Sequence, residues 1–312
     1  MLTTLKFGSF DQFCGTLAFP LCPLVGPQAS RTIPVCFSRN LDFGGFLVFQ
    51  PGALAAYIIA ILMTVVMIYN IRVKYTAVGR QEMLSFFYLY TVTVLLEFLL
   101  IGGFIPISSS VYPWFVAAHI GLITASVWCL LLNGFVGFQF AEDGTPLSLW
   151  SIRITSLLVW GLTFFVSVAT FRNMFGSSGV LSAGNPLILW IIYFIFNGAA
   201  LLIYFILQII LVVNTLNDRW PLGDMLMAGL SFAIGQVILL VFTNDVCSLI
   251  SHYIDGLFFT VLCTLFAVMM VYKYWDSITK DDLEYTVDYK PDQWEVKGFL
   301  EDPESDYYPS RY

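Results

Sequence analysis

Charge is scarce in this chain, and histidine scarcer. Only 11% of the 312 residues are charged, against roughly 25% in soluble domains, and just two are His. A catalytic zinc centre needs three protein ligands, so a zinc hydrolase here would consume nearly every candidate in the chain. No Gly-rich phosphate loop, G-x-S-x-G elbow or C-x-x-C pair occurs, which removes the commonest phosphoryl-transfer, acyl-transfer and redox motifs. Asn-x-Ser/Thr is missing too, so N-glycosylation is not expected. The first 30 residues hold one Lys, several prolines and no continuous apolar run, unlike a cleavable signal peptide. The first apolar span is expected to act as the insertion signal itself. These absences point away from an enzyme, and no cofactor or metal is expected.

Apolar length is what the chain has in abundance. Hydrophobic residues make up 58% and aromatics 17%. Seven stretches, at about 46–69, 84–105, 112–138, 154–171, 187–213, 225–243 and 250–272, approach or exceed the roughly 20 residues that cross a bilayer's hydrocarbon. The expected architecture is an all-α membrane protein, a seven-transmembrane helical bundle over residues 46–275. An N-terminal segment, 1–45, precedes it, and a tail, 276–312, follows.

Basic residues orient such a bundle, because Lys and Arg in short joints stay cytosolic. Arg72, Lys74 and Arg80 follow span one, Arg153 and Arg219 follow spans three and five, and Lys273, Lys280, Lys290, Lys297 and Arg311 follow span seven. The other side has only Lys6, Arg31, Arg39 and Arg172. The N-terminus is therefore expected to be lumenal or extracellular and the C-terminus cytosolic. Cys14, Cys22, Cys36 and Cys247 then share the non-cytosolic face, where disulfides persist. Four cysteines allow three pairings, and two disulfides are expected, one tying the N-terminal segment to the joint between spans six and seven. Cys129 and Cys263 fall inside spans and read as small buried residues.

Residues 1–275 carry equal numbers of acids and bases, so the net charge of −7 belongs to the tail. A tail that acidic has little apolar surface to bury and is expected to be disordered or bound to a partner. Repulsion by an anionic leaflet favours a protein partner over lipid headgroups or nucleic acid.

Ionisable groups at membrane depth default to functional hypotheses. Here they are Glu97, His119, His252 and Asp255, joined by the uncharged Asn133, Asn197, Gln208 and Gln236. One reading places a ligand, proton or metal site around Glu97 and His119, as a seven-span receptor or transporter would have. The simpler reading is a buried hydrogen-bond network that fixes helix register. His252 and Asp255, three apart, are expected to share one helix and pair at its mouth. A rhodopsin-like receptor is disfavoured, since span three ends Phe138-Gln139-Phe140-Ala141-Glu142-Asp143 without an acid-Arg-aromatic triplet. Span seven has neither Asn-Pro-x-x-Tyr nor a mid-span Lys.

The joints are more informative. The first runs Tyr69-Asn70-Ile71-Arg72-Val73-Lys74-Tyr75-Thr76-Ala77-Val78-Gly79-Arg80-Gln81-Glu82, and the second centres on Glu142-Asp143-Gly144-Thr145. Span three opens Tyr112-Pro113-Trp114-Phe115. Span seven opens Tyr253-Ile254-Asp255-Gly256-Leu257-Phe258-Phe259, closes Met269-Met270-Val271-Tyr272-Lys273-Tyr274-Trp275-Asp276, and leads to Asp281-Asp282-Leu283-Glu284. With the four cysteines, these segments resemble the fungal chitin synthase export chaperones, in order from Cys14 to Glu284. The resemblance implies a non-enzymatic escort in the endoplasmic reticulum membrane. Its partner would be a chitin synthase catalytic subunit, a multi-span glycosyltransferase that needs the escort to reach the cell surface. Whether the escort travels onward with its client stays open. Arg72, Lys74 and Arg80 would then serve as cytosolic docking points for client or lipid phosphate, or as ordinary positive-inside anchors. Asp282 and Glu284 have the acid-x-acid form of export signals read by coat proteins, a pattern short enough to arise by chance.

Overall fold

The computed structural model describes residues 7–279, apart from 18, 26–37, 39, 45, 76, 139–143, 177–178, 180, 216–218, 251 and 253. Cys36, Asp282 and Glu284 lie outside the described residues, as does the tail beyond 279. A short helix, α1 (Asp11–Thr16), and an antiparallel hairpin, β1 (Leu41–Phe43) and β2 (Phe46–Val48), precede seven long apolar helices. These are α2 (Pro51–Val73), α3 (Arg80–Ile101), α4 (Tyr112–Val136), α5 (Pro146–Phe171), α6 (Leu187–Asn214), α7 (Trp220–Leu249) and α8 (Gly256–Ile278). They form a seven-span helical membrane bundle.

Proline and local caps set where these helices begin. Pro51, Pro113, Pro146 and Pro221 sit in the first turns of α2, α4, α5 and α7, where a missing N–H costs nothing. The Thr145 hydroxyl accepts from Ser148 N–H at 3.3 Å and caps α5. The Asp255 carboxylate accepts from Phe258 N–H at 3.2 Å and caps α8.

The same signals move several boundaries away from hydropathy alone. Span one starts at Pro51 rather than 46, because Phe46–Val48 pairs as a strand and Gln50 is left-handed (φ 45). Span two starts at Arg80, after left-handed Gly79, and winds through the polar Arg80-Gln81-Glu82 turn. Span four starts at Pro146, so Arg153 lies on an exposed face of α5 rather than in a joint. Span seven starts six residues later than expected and reaches Ile278, taking Lys273 and Asp276 into the helix. α6 and α7 each contain a π-helical stretch, Ile191–Phe196 and Ile238–Phe242.

α4 is the hub, packed against α3, α5 and α6, while α8 joins α7 to α2 and α2 packs on α3. Small residues allow the close approaches. A Cβ on Gly121 of α4 would lie 3.0 Å from the Trp160 ring of α5. One on Gly235 of α7 would lie 2.8 Å from the Cys263 Cβ of α8. Hydroxyls bridge backbones at that second contact. Thr260 donates to Gly235 C=O at 3.0 Å, and Ser231 donates to Cys263 C=O at 2.9 Å.

The end of the bundle that carries α1 and the hairpin is termed the N-face, and the end near Lys74 and Ile278 the C-face. Phe10, Leu21, Val25, Leu100, Tyr112, Val116, Ile120, Leu189 and Trp190 form a core that glues the N-terminal segment to the N-face.

Candidate functional site

Glu97 of α3 and His119 of α4 meet in the N-face half of the bundle, with His119 Nε2 3.8 Å from Glu97 Oε2. The phenols of Tyr57, Tyr90 and Tyr193 surround Glu97 closely enough to feel its charge. Phe19, Pro20 and Leu21 roof the pair, and Val116, Ile120 and Tyr193 complete a small cavity with room for about one water-sized molecule. His119 Nε2 is buried without a hydrogen-bond partner among the described residues, and the Tyr57 hydroxyl faces the Glu97 carboxylate. The arrangement can hold or share a proton. Among the described residues no three His, Cys, Asp or Glu side chains converge as metal ligands would.

The roof is held in place covalently and by packing. Cys14 and Cys22 are disulfide-bonded across the loop that carries Phe19–Leu21. Tyr112 Oη donates to Pro20 C=O at 2.8 Å, and the Phe13 ring stacks on Phe194 at 5.0 Å in the π-helical turn of α6. Cys247 is disulfide-bonded as well, while Cys129 and Cys263 are free thiols inside the bundle.

His252 and Asp255 do not share a helix. His252 adopts left-handed backbone (φ 65) between α7 and α8 and places Nδ1 3.2 Å from Cys247 Sγ. Asp255 is committed to capping α8, and burial pushes its carboxyl above the ordinary value of 3.8 despite the backbone donors it accepts from. The expected pairing fails because helix α8 begins at Gly256, after both residues.

The uncharged groups divide. Asn133 donates to Cys129 C=O at 3.0 Å and to Glu82 C=O at 3.3 Å, linking α4 to α3. Asn197 donates to Tyr193 C=O at 3.1 Å and reaches Thr124 Oγ1 of α4 at 3.5 Å. Gln208 donates to Gly134 C=O at 3.4 Å, linking α6 to α4. Gln236, half-buried on α7, makes no hydrogen bond among the described residues. Glu97 and His119 thus meet each other, while Asn133, Asn197 and Gln208 serve separate helix contacts.

Sequence reading missed two buried carboxylates near the C-face. Glu82 is fully buried, and its Oε1 accepts from Gly144 N–H at 2.9 Å and Ser148 Oγ at 3.1 Å, pinning the α4–α5 turn to α3. Asp224 of α7 is buried and pairs with Lys273 of α8 at 3.0 Å. Glu82 lies in the first turn of α3 and Asp224 just past the first turn of α7, and both precede the points, 84 and 225, where hydropathy starts those spans.

The basic joint is largely engaged within the chain. Lys74 forms an ion pair with Asp276 and lies over the Trp275 ring, whose Nε1 donates to Val78 C=O at 3.0 Å. Arg72 donates through Nε to the Tyr88 hydroxyl at 2.8 Å, and Arg80 donates to Arg72 C=O at 3.1 Å.

This geometry is a helical bundle stapled at both faces, with no assembled catalytic constellation among its described residues. Comparison with known proteins gives it a family. The family model for the chitin synthase export chaperone matches residues 6–289. The chain belongs to the chitin synthase export chaperone family. It is 49% identical over 304 residues to the chitin synthase export chaperone of Cryptococcus neoformans, covering 97% of this chain and 83% of that protein. It is 47% identical over 307 residues to that of Neurospora crassa (96% and 85%) and 46% identical over 305 residues to that of Aspergillus oryzae (96% and 90%). No solved structure matches. The family is one of chaperones rather than catalysts, which agrees with the scarcity of charge and histidine.

The segments that carry the chitin synthase export chaperone resemblance are also the staples. Tyr112 ties α4 to the N-terminal roof, and Trp114 stacks its ring under the Arg172 guanidinium at 5.4 Å. Trp275 and Asp276 tie the end of α8 to the α2–α3 joint.

Proposed function

We propose that this chain binds a chitin synthase catalytic subunit laterally within the membrane and, by covering its helices, prevents its aggregation. That cover enables the enzyme's export from the endoplasmic reticulum toward the cell surface. The single observation that supports this reading is similarity along nearly the whole chain to proteins named chitin synthase export chaperones. The physical rationale is that an unassembled multi-span enzyme exposes polar and small helix surfaces that hydrocarbon cannot satisfy. A bundle with polar and small residues of its own can cover them until assembly is complete.

In this reading the N-face is lumenal, the C-face cytosolic, and the protein resides in the endoplasmic reticulum membrane. The excess of Lys and Arg toward the C-face supports that orientation. Exposed Trp150, Trp220 and Tyr75 there suit an interfacial aromatic belt against membrane lipid. Arg72 is the residue of the basic joint best placed for lipid phosphate or client, since Lys74 is already paired with Asp276. Asp282 and Glu284 would present the export signal to coat proteins.

Deleting the gene while following a fluorescent chitin synthase tests the escort reading. The enzyme should stay in the endoplasmic reticulum, and tagged escort should co-purify it in mild detergent. Delivery at the normal level to the cell surface would sink the reading. A second reading, a receptor or transporter, draws on the enclosed Glu97–His119 pair. It requires that Glu97→Gln or His119→Ala abolish a ligand response while client traffic is untouched.

A further inference from the structure

Gln236 is a half-buried amide in the apolar middle of a span, with no hydrogen-bond partner among the described residues. It lies near the middle of α7, between the Asp224–Lys273 pair at one end and Cys247 at the other. Hydrocarbon offers such an amide no hydrogen-bond partner to replace the missing one.

Its direction follows from its neighbours. Gly229 of α7 faces α6, where a Cβ would lie 2.8 Å from the Phe205 ring. Gln236 is seven residues further on, about two helical turns, so it points to the same side, about 10 Å nearer the N-face. Seven residues back from Phe205 on antiparallel α6 is Gly198, which comes to the same level. Gly198 is exposed, with no atom within 4 Å of a Cβ placed on it, and Ala199 beside it is exposed too. The α6–α7 crevice is therefore closed at Phe205–Gly229 and open at Gly198–Gln236. Contact between these two helices is correspondingly sparse.

We infer that this open half of the crevice receives a transmembrane helix of the escorted enzyme, and that Gln236 hydrogen-bonds to a hydroxyl, amide or carboxyl group on it. The inference rests on the escort reading and names the surface it uses. A concave slot with small residues on one wall admits a helix closely, and the amide supplies the polar contact that lipid cannot. A second copy of this chain is a poorer occupant. Exposed strips such as Ile58, Leu62 and Val65 on α2 and Leu157, Leu158 and Leu162 on α5 are apolar and bring Gln236 no partner.

The test uses the full chain, tagged and purified in mild detergent from cells that make chitin synthase. Gln236→Leu should lower co-purified enzyme about threefold, equivalent to the average inter-helix hydrogen bond of about 0.6 kcal/mol. The variant's own thermal stability should hold or rise, which a merely structural role would not allow. Gly198→Leu, which fills the slot, should lower recovery further. A photoreactive residue at Leu240 should crosslink to the enzyme, while one at Leu158 should not. Full recovery with both variants and no adduct at Leu240, or an adduct joining two copies of this chain, overturns the inference and leaves the escort reading standing. Absence of chitin synthase from the wild-type sample overturns both.

Discussion

α4 and α7 are equally apolar, with mean hydropathy of 2.1 and 2.2, yet 61% of the most apolar stretch of α4 is buried inside the bundle against 22% for that of α7. Hydropathy assigns both to the membrane and says nothing about which is central. Placement comes from the small and polar positions. α4 spends its small and polar residues on three partners: Gly121 on α5, Ser126 on Thr93 of α3 at 3.2 Å, and Gly134 on α6. α7 concentrates Ser231, Gly235 and Thr243 on α8 and leaves Gln236 over. In a bilayer, where helix burial gains little from apolar surface alone, such contacts decide neighbours.

The largest effect should come from forcing a side chain into the hub. Gly121→Leu would press against the Trp160 ring and its carbonyl oxygen, at 3.0 and 3.1 Å from the first added carbon. Overpacking of this kind costs about 3 kcal/mol. Size-exclusion of detergent-solubilised protein after heating should show early loss of the monodisperse peak. Survival at wild-type temperature would mean that α4 is no more central than α7.

The next tests how α7 is held. Lys273→Ala leaves the buried Asp224 carboxylate without its counter-charge. Orphaning a buried charge costs several kcal/mol, but Lys273 is itself half-exposed, so about 2 kcal/mol is expected. Asp224→Asn in the same background should recover much of it. If the double variant melts no higher than Lys273→Ala, the pair does not anchor α7 to α8.

Much of this was legible in sequence, for reasons that particular residues make plain. Seven spans could be counted because hydrocarbon thickness fixes the length of an apolar run. Helix starts were misplaced where Arg80, Gln81 and Glu82, or Trp220 and Pro221, continue a helix beyond the apolar stretch. The same misplacement concealed Glu82 and Asp224, whose burial depends on a neighbouring helix and not on their own sequence surroundings. Glu97 and His119 stood out because each is the one Asp, Glu, Lys, Arg or His in its apolar stretch, 84–105 and 112–138. Their roof by Phe19–Leu21 was not legible, since it depends on how the N-terminal segment folds back over the N-face.

A smaller effect is expected where α7 hands over to α8. Burial raises the Asp255 carboxyl above 3.8, so the folded state favours its protonated form. Stability should therefore rise as pH falls through that raised value, and the gain should be complete below 3.8. Asp255→Asn keeps an acceptor for the cap at Phe258 and should remove this dependence, while Asp255→Ala should cost about 1 kcal/mol at any pH. Melting curves of the three proteins from pH 7 to 4 check both points. A wild type that weakens steadily on acidification, relative to Asp255→Asn, would refute the assignment.

The smallest effect lies on α7 itself and has the opposite sign to the first. Gly223 is exposed, and no atom lies within 4 Å of a Cβ placed there. Gly223→Ala removes a helix-weakening residue without meeting a neighbour, and should stabilise the protein by about 0.5 kcal/mol. Against Gly121→Leu it makes the comparison quantitative: added volume at the hub destabilises, and added volume on the outer helix helps. Chitin synthase recovery should not change, because Gly223 lies near the C-face, well away from the open half of the α6–α7 crevice. A fall in recovery with stability intact would extend the client's footprint down the whole of α7.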